Sequence, residues 1–147
     1  MTTRRQLLAA LPLLALVRPA SATPAEMTAA IAAYTGNASI QRGRVQIDIA
    51  QLIDNGNAVP ITVRVDSPMT EQAHVTDIAI FNEKNPLPDV VKFKLGPRAG
   101  KAEVSTRIRL ATSQKLTAIA RTNDGSLWQQ TVDVIVTLAA CVEGEGM

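Results

Sequence analysis

The segment EVSTRIRL, residues 103–110, alternates strictly between side chains that suit a protein core and side chains that suit water. Arg107 and Arg109 stand at two of the polar positions. A period of two sends successive side chains to opposite faces of a strand, so this segment predicts a β-strand that is buried on one face only. The residues of the predicted buried face are Val104, Thr106, Ile108 and Leu110.

Runs with the same alternation, or rich in β-branched residues, recur on both sides of this segment. Turn sequences such as NGN at residues 55–57 and NDG at residues 123–125 separate them, and no helical pattern intervenes. Strands joined by such short connections pair in antiparallel fashion. About seven strands are therefore expected, which predicts an all-β fold, an immunoglobulin-like antiparallel β-sandwich. The other predicted strands cover residues 44–49, 59–65, 74–81, 91–95, 115–121 and 127–138.

A short helix is predicted before the first strand. The sequence TPAE at residues 23–26 has the form of a capping box, with threonine as the cap, proline at the first helical position and glutamate three residues after the threonine. Met27, Ile31 and Tyr34 then fall on one helical face, and Gly36 is placed to end the helix. The sandwich is therefore expected to carry one N-terminal helix.

The first 22 residues have the form of an export signal. Arg4 and Arg5 precede an apolar run over residues 7–17, and the small residues ASA at 20–22 supply a cleavage site. A membrane anchor needs about 20 apolar residues, and this run is roughly half that length. The sequence therefore predicts a twin-arginine signal over residues 1–22, removal of that signal, a periplasmic protein, and no attachment to the membrane once it is processed.

The rest of the chain is predicted to form one β-sandwich domain, residues 23–138, followed by a mobile C-terminal arm, residues 139–147.

The net charge of +2 depends on the three arginines of the signal, so the remaining chain is close to neutral. It has no basic stripe that would follow a phosphate backbone, and only 3% of its residues are aromatic platforms for base stacking. Both properties disfavour nucleic-acid binding.

The chain has a single cysteine, Cys141, which follows the last predicted strand. In an oxidising compartment this excludes an intrachain disulfide and favours a free reactive thiol or an intermolecular bond. Two interpretations remain open from position alone: an accessible thiol on the arm, or a small buried hydrophobe that ends the strand. Glu143, Glu145 and the terminal carboxylate disfavour the thiolate, so the local sequence does not activate this cysteine.

The chain lacks the residues that most enzyme classes require. His74 is the only histidine, so a multi-histidine zinc or copper site is excluded, and no nucleotide-binding or hydrolase motif occurs. A Cys141–His74 pair is conceivable, because catalytic partners need to meet only in space. The favoured interpretation places His74 at the start of a strand on a sheet face or rim. The sequence thus predicts a protein with no catalytic residue, no metal and no cofactor.

Three blocks in a fixed order resemble a known family. They are VDSPMT at residues 65–70, NPLP at 85–88 and STRIRL at 105–110, and a cysteine follows the last strand. Over nearly all of the chain after the signal, the sequence resembles SoxY, the carrier subunit of the Sox thiosulfate-oxidation system. The resemblance implies an immunoglobulin-like sandwich that pairs with a second sandwich, SoxZ, in the periplasm.

The resemblance also implies a role for Cys141. In this family the terminal cysteine is conjugated to thiosulfate by a haem c enzyme and then trimmed by a sulfate-releasing hydrolase, while the carrier itself performs no catalysis. Carried over to this chain, Cys141 is the covalent attachment point for sulfur-compound cargo, and the partners are the SoxZ-like subunit and those two enzymes.

The C-terminus departs from the family pattern. The family ends in GGCGG, whereas residues 139–147 read AACVEGEGM. Alanine has less backbone freedom than glycine, and Val142 is restricted at χ1, so the arm is expected to be stiffer. An alternative function therefore stays open: a structural or binding sandwich subunit that pairs with a SoxZ-like partner without covalent cargo.

The signal generates a direct prediction. Replacing both Arg4 and Arg5 by lysine should leave the uncleaved precursor inside the cell, because the twin-arginine pathway reads that pair as an address. Fractionation of cells expressing each form, followed by immunoblotting, checks this. Normal export of the lysine variant would contradict the twin-arginine assignment.

Overall fold

The computed structural model describes residues 22–138, in which two β-sheets pack face to face and one helix covers the outside of the larger sheet. The helix α1 spans Pro24–Thr35. A short 3-10 turn, Pro97–Ala99, precedes the seventh strand. The strands are β1 Ile40–Arg42, β2 Val45–Asp48, β3 Leu52–Ile53, β4 Val59–Val65, β5 Val75–Asn82, β6 Asp89–Lys94, β7 Ala102–Ile108, β8 Gln114–Thr122 and β9 Leu127–Val136.

The two sheets are largely antiparallel, as the sequence predicts. The larger sheet has the order β1-β9-β8-β5-β6, with β3 also paired to β9, and the smaller sheet has the order β2-β4-β7. The alternation of β4 buries every second side chain from Val59 to Val65 against the larger sheet. Burying each such aliphatic side chain contributes about 1.5–3 kcal/mol. The predicted sandwich is therefore confirmed.

The predicted helix is also present, and its cap forms as expected. The Glu26 N–H donates to Thr23 Oγ1 at 3.2 Å, the Thr23 N–H donates to Glu26 Oε2 at 2.7 Å, and Gly36 ends the helix at a φ of 65°. The apolar face of α1 packs on the outer face of the larger sheet, and this buries β5 and β8 on both sides. The contacting residues are Met27, Ala30, Ile31 and Tyr34 on one side and Ala79, Phe81, Ile119 and Leu127 on the other.

The structure differs from the expected pattern along the edge of β9. Two strands that the period-two pattern does not predict, β1 and β3, pair with β9 in parallel register. Between them, the Ile47 N–H of β2 donates to the side chain of Gln130 at 2.6 Å. The last strand is therefore held by β8 on one side and by three separate segments on the other.

Candidate functional site

Cys141 and the predicted arm, residues 139–147, lie outside the described residues. The described chain ends at Leu138, three residues before the cysteine. Residues 137–138, which we call the arm root, therefore define where Cys141 is attached to the sandwich. The geometry of the arm root sets what the thiol can reach.

The arm root is hydrogen-bonded to β3 and to the turn that follows it. The Thr137 N–H donates to the carbonyl of Ile53 at 2.9 Å, and the Gly56 N–H donates to the carbonyl of Leu138 at 2.9 Å. The Thr137 hydroxyl lies 3.3 Å from the carbonyl of Ile53 and 3.2 Å from that of Asp54. Chain ends usually fray unless such bonds hold them. The strand is thus fixed up to Leu138.

The segment between β7 and β8 lies beside the arm root. The Leu110 N–H donates to the carbonyl of Gly56 at 2.8 Å, so Gly56 bonds both Leu110 and Leu138. The Val136 N–H donates to Ser113 Oγ at 2.8 Å. These bonds bring Arg109, the neighbour of Leu110, close to the point where the arm begins. The sequence does not predict this proximity of Arg109 to the arm root, because it depends on two backbone hydrogen bonds between distant segments.

His74 lies at the opposite end of the sandwich. Its N–H donates to Asn123 Oδ1 at 3.0 Å, and its Nδ1 lies 2.9 Å from the carbonyl of Thr70. This places it just before β5, as the sequence predicts, and beside the turn that precedes β9. The ten residues of β9 separate that turn from the arm root, a distance of about 30 Å.

The arm cannot bridge that distance. Three residues of fully extended chain span at most about 11 Å, whatever their conformation. Cys141 and His74 of one molecule therefore cannot form the pair that the sequence left open. The three-residue tether keeps the thiol within about 11 Å of Leu138.

Three of the large apolar side chains that are exposed lie at or next to the arm root. Leu52, Ile135 and Leu138 are 61%, 58% and 60% exposed. Leu52 and Ile135 are direct neighbours in the parallel pairing of β3 with β9. The surface within reach of Cys141 is therefore apolar on this side.

Lys115 on β8 and Asp133 on β9 are opposite each other in the sheet and form an ion pair. Lys115 Nζ lies 2.6 Å from Asp133 Oδ1, and this hydrogen bond raises the pKa of Lys115. The lysine charge is thus matched by a carboxylate. By contrast, neither Arg107 nor Arg109 forms an ion pair with any residue between 22 and 138.

Within the described chain, no group of three or more histidine, cysteine, aspartate or glutamate side chains is placed to hold a metal ion. No helix in residues 22–138 has the length and apolar character needed to cross a membrane.

Comparison with known proteins decides the family. The family model described as "Sulfur oxidation protein SoxY" matches residues 31–141. This chain belongs to the SoxY family. A solved structure of the sulfur carrier protein SoxY from Chlorobium limicola f thiosulfatophilum is 34% identical to it, covers 78% of this chain and 98% of its own, and superposes with a TM-score of 0.65. The predicted family is confirmed, and this chain has the same fold as that sulfur carrier protein.

More distant structures share the fold alone. A superoxide reductase (neelaredoxin) from Ignicoccus hospitalis is 17% identical, covers 64% of this chain and 80% of its own, and has a TM-score of 0.57. A putative superoxide reductase from Thermotoga maritima is 20% identical, covers 67% and 87%, and has a TM-score of 0.55. No curated protein sequence matches the chain.

The arm root of this SoxY-family protein can be loosened by one substitution. Thr137→Val removes the hydroxyl near the carbonyls of Ile53 and Asp54 and should cost about 1 kcal/mol of local stability. Amide hydrogen exchange at Gly56 and Thr137 should then accelerate about fivefold, because local opening becomes easier.

Thr62→Val is the matched control for this measurement. It removes a hydroxyl that bonds Ser105 on the exposed face of the smaller sheet, at 2.8 Å. Exchange at Gly56 and Thr137 should not change in that variant. Unchanged exchange in Thr137→Val, or equal acceleration in both variants, would show that the hydroxyl does not hold the arm root.

Proposed function

We propose that this SoxY-family protein is a non-enzymatic periplasmic carrier that holds thiosulfate-derived intermediates covalently on Cys141. The observation that carries the proposal is positional. Cys141 is the only cysteine of the chain, the family match extends to it, and it lies three residues beyond a hydrogen-bonded arm root. A short tether on a fixed base presents the thiol while the sandwich stays folded.

The chemistry of such a carrier needs only one sulfur atom from this chain. In the first step the thiol loses its proton, and its sulfur forms a bond to the terminal sulfur of thiosulfate, with two electrons leaving to a haem enzyme. In the second step water attacks the sulfonate sulfur, sulfate leaves, and a sulfane remains on the cysteine. Each step is performed by a partner enzyme, and the carrier keeps the intermediate bound between them.

The division of labour follows from the position of His74. A thiol is nucleophilic as the thiolate, and an adjacent base or cation is the usual means of producing it. His74 is out of reach, and the acidic residues Glu143 and Glu145 follow the cysteine. Arg109 lies near the arm root, but an arm that extends into a partner enzyme carries Cys141 away from this cation, so the thiolate is generated in the active site of that enzyme. An enzyme that receives Cys141 has to approach to within about 11 Å of Leu138, so its entrance meets the exposed apolar side chains there.

The proposed partner subunit is a second sandwich of the SoxZ type. Membership of the SoxY family supports it, and so do the open edges of the two sheets. Among the described residues, β6 pairs only with β5, and β7 pairs only with β4. Edge strands that leave backbone groups unpaired are usually covered in the working protein.

Intact mass spectrometry of the protein purified from thiosulfate-oxidising cells tests the proposal. The wild-type chain should carry thiosulfonate or sulfane additions that a reducing agent removes, because they are bound through a disulfide-type bond. Cys141→Ser should carry none and should still co-purify with the SoxZ-like subunit, since no described core contact involves residue 141. An unmodified wild-type chain would favour the alternative of a scaffold subunit without cargo, and the same additions on Cys141→Ser would place the cargo elsewhere.

A further inference from the structure

A groove lies between the open edges of β6 and β7, at the end of the sandwich where the arm begins. Its volume is about 510 Å³, and residues 85–87, 89–91 and 106–109 line it. Pro86, Val90 and the 71% exposed Leu87 make part of its wall apolar. We call it the β6–β7 groove.

The charge of this groove is positive. Arg107 and Arg109 are both exposed, and no carboxylate within residues 22–138 pairs with either of them. The acid that lines the groove, Asp89, is bonded to Lys92 at 3.2 Å. Buried Ile108 and Leu110 alternate with the two arginines, so both guanidinium groups extend from the same side of the chain.

The arm begins next to this groove. Gly56 bonds Leu138 on one side and Leu110 on the other, and Leu110 directly follows Arg109. Nine residues, 139–147, continue from Leu138. Fully extended they span about 30 Å, more than the length of the groove wall formed by residues 106–109. The tail beyond Cys141 is therefore long enough to reach both arginines.

We propose that residues 142–147, with the sequence VEGEGM, dock in the β6–β7 groove, where Glu143 pairs with Arg109 and Glu145 with Arg107. The two glutamates and the two arginines have the same spacing of two residues, which puts each pair on one face of an extended chain. The tail then runs antiparallel to the end of β7. It leaves the outer backbone edges of residues 92–94 in β6 and 102–105 in β7 uncovered. This docking goes beyond the carrier function, because it requires neither cargo nor partner.

A second groove beside the arm root has the wrong charge for the tail. It has a volume of about 410 Å³ and is lined by residues 48–50, 52–55 and 58–62. Its charged residues are Asp48, which pairs with Arg64 at 3.2 Å, and Asp54. Like charges repel the glutamates of the tail, so charge selects the β6–β7 groove although both lie close to Leu138.

Docking controls how Cys141 is presented. A docked tail holds the cysteine between the arm root and Arg109, whereas a released tail lets it extend toward a partner. Exposed ion pairs are individually weak, so two of them favour the docked form by about threefold to tenfold. Salt screens such pairs, and the docked fraction should fall as ionic strength rises.

A spin label at the end of the tail tests the proposal in the full chain. Met147→Cys in a Cys141→Ser background provides one labelling site, and paramagnetic broadening of backbone amides is measured by nitrogen-15 NMR. At low salt, the amides of Leu87, Val90 and residues 106–109 should broaden about threefold more than those of residues 48–54. Roughly 0.5 M salt should remove this preference.

Charge variants decide whether the arginines cause the docking. Arg107→Glu with Arg109→Glu should abolish the preference, and adding Glu143→Arg with Glu145→Arg to that pair should restore it. Arg98→Glu with Lys101→Glu, the same change in charge at exposed positions near the far end of β7, should leave it intact. Equal broadening around both grooves, or broadening that prefers residues 48–54, would overturn the proposal. Because the labelled protein lacks Cys141, that outcome would leave the carrier function untouched.

Discussion

The hydrogen bonding of β9 along both edges is the constraint on which the rest of the structure depends. One edge pairs with β8 over residues 127–134 and the other pairs with β1 and β3, and between these two the side chain of Gln130 on β9 accepts a hydrogen bond from the Ile47 N–H of β2. A terminal strand with one free edge would fray from its end. Here the bonds of Thr137 and Leu138 to the segment 53–56 continue the pairing past the last residue of the strand. The sandwich therefore has a fixed exit point for the chain that carries its only thiol.

The position of this exit point separates the thiol from His74, the only histidine of the chain. The exit lies at the end of the sheets opposite His74, and the tether to Cys141 is short. The same exit lies beside Leu110, so the arginines of β7, and not the histidine, are the cationic groups within reach of the acidic tail. Distant superoxide reductases share this fold at 17–20% identity. The sandwich thus does not by itself specify an activity, and function depends on where the chain places its few reactive side chains.

The sequence predicts those parts of the fold that local physical chemistry determines. The alternation in β4 and β7 and the capping box at Thr23 are complete within single segments, and the structure forms all three as expected. β1 and β3 escape prediction because strands of three and two residues are too short for a period to appear, and they exist only through bonds to β9. The proximity of Arg109 to the arm root escapes for the same reason, since Gly56 provides the connection through bonds to distant residues.

The central claim is that the chain presents an accessible thiol which it does not activate itself. The most direct test is the rate at which the folded protein reacts with a chromogenic disulfide from about pH 6 to pH 10, in roughly 0.5 M salt to screen the tail, with free glutathione measured in parallel. The whole thiol should react without denaturant, and its rate should rise with pH as that of glutathione does. If the rate levels off at a pH well below the pH at which the glutathione rate levels off, the protein stabilises the thiolate. Reaction only in denaturant would reveal a buried cysteine. Either result would contradict a passive carrier.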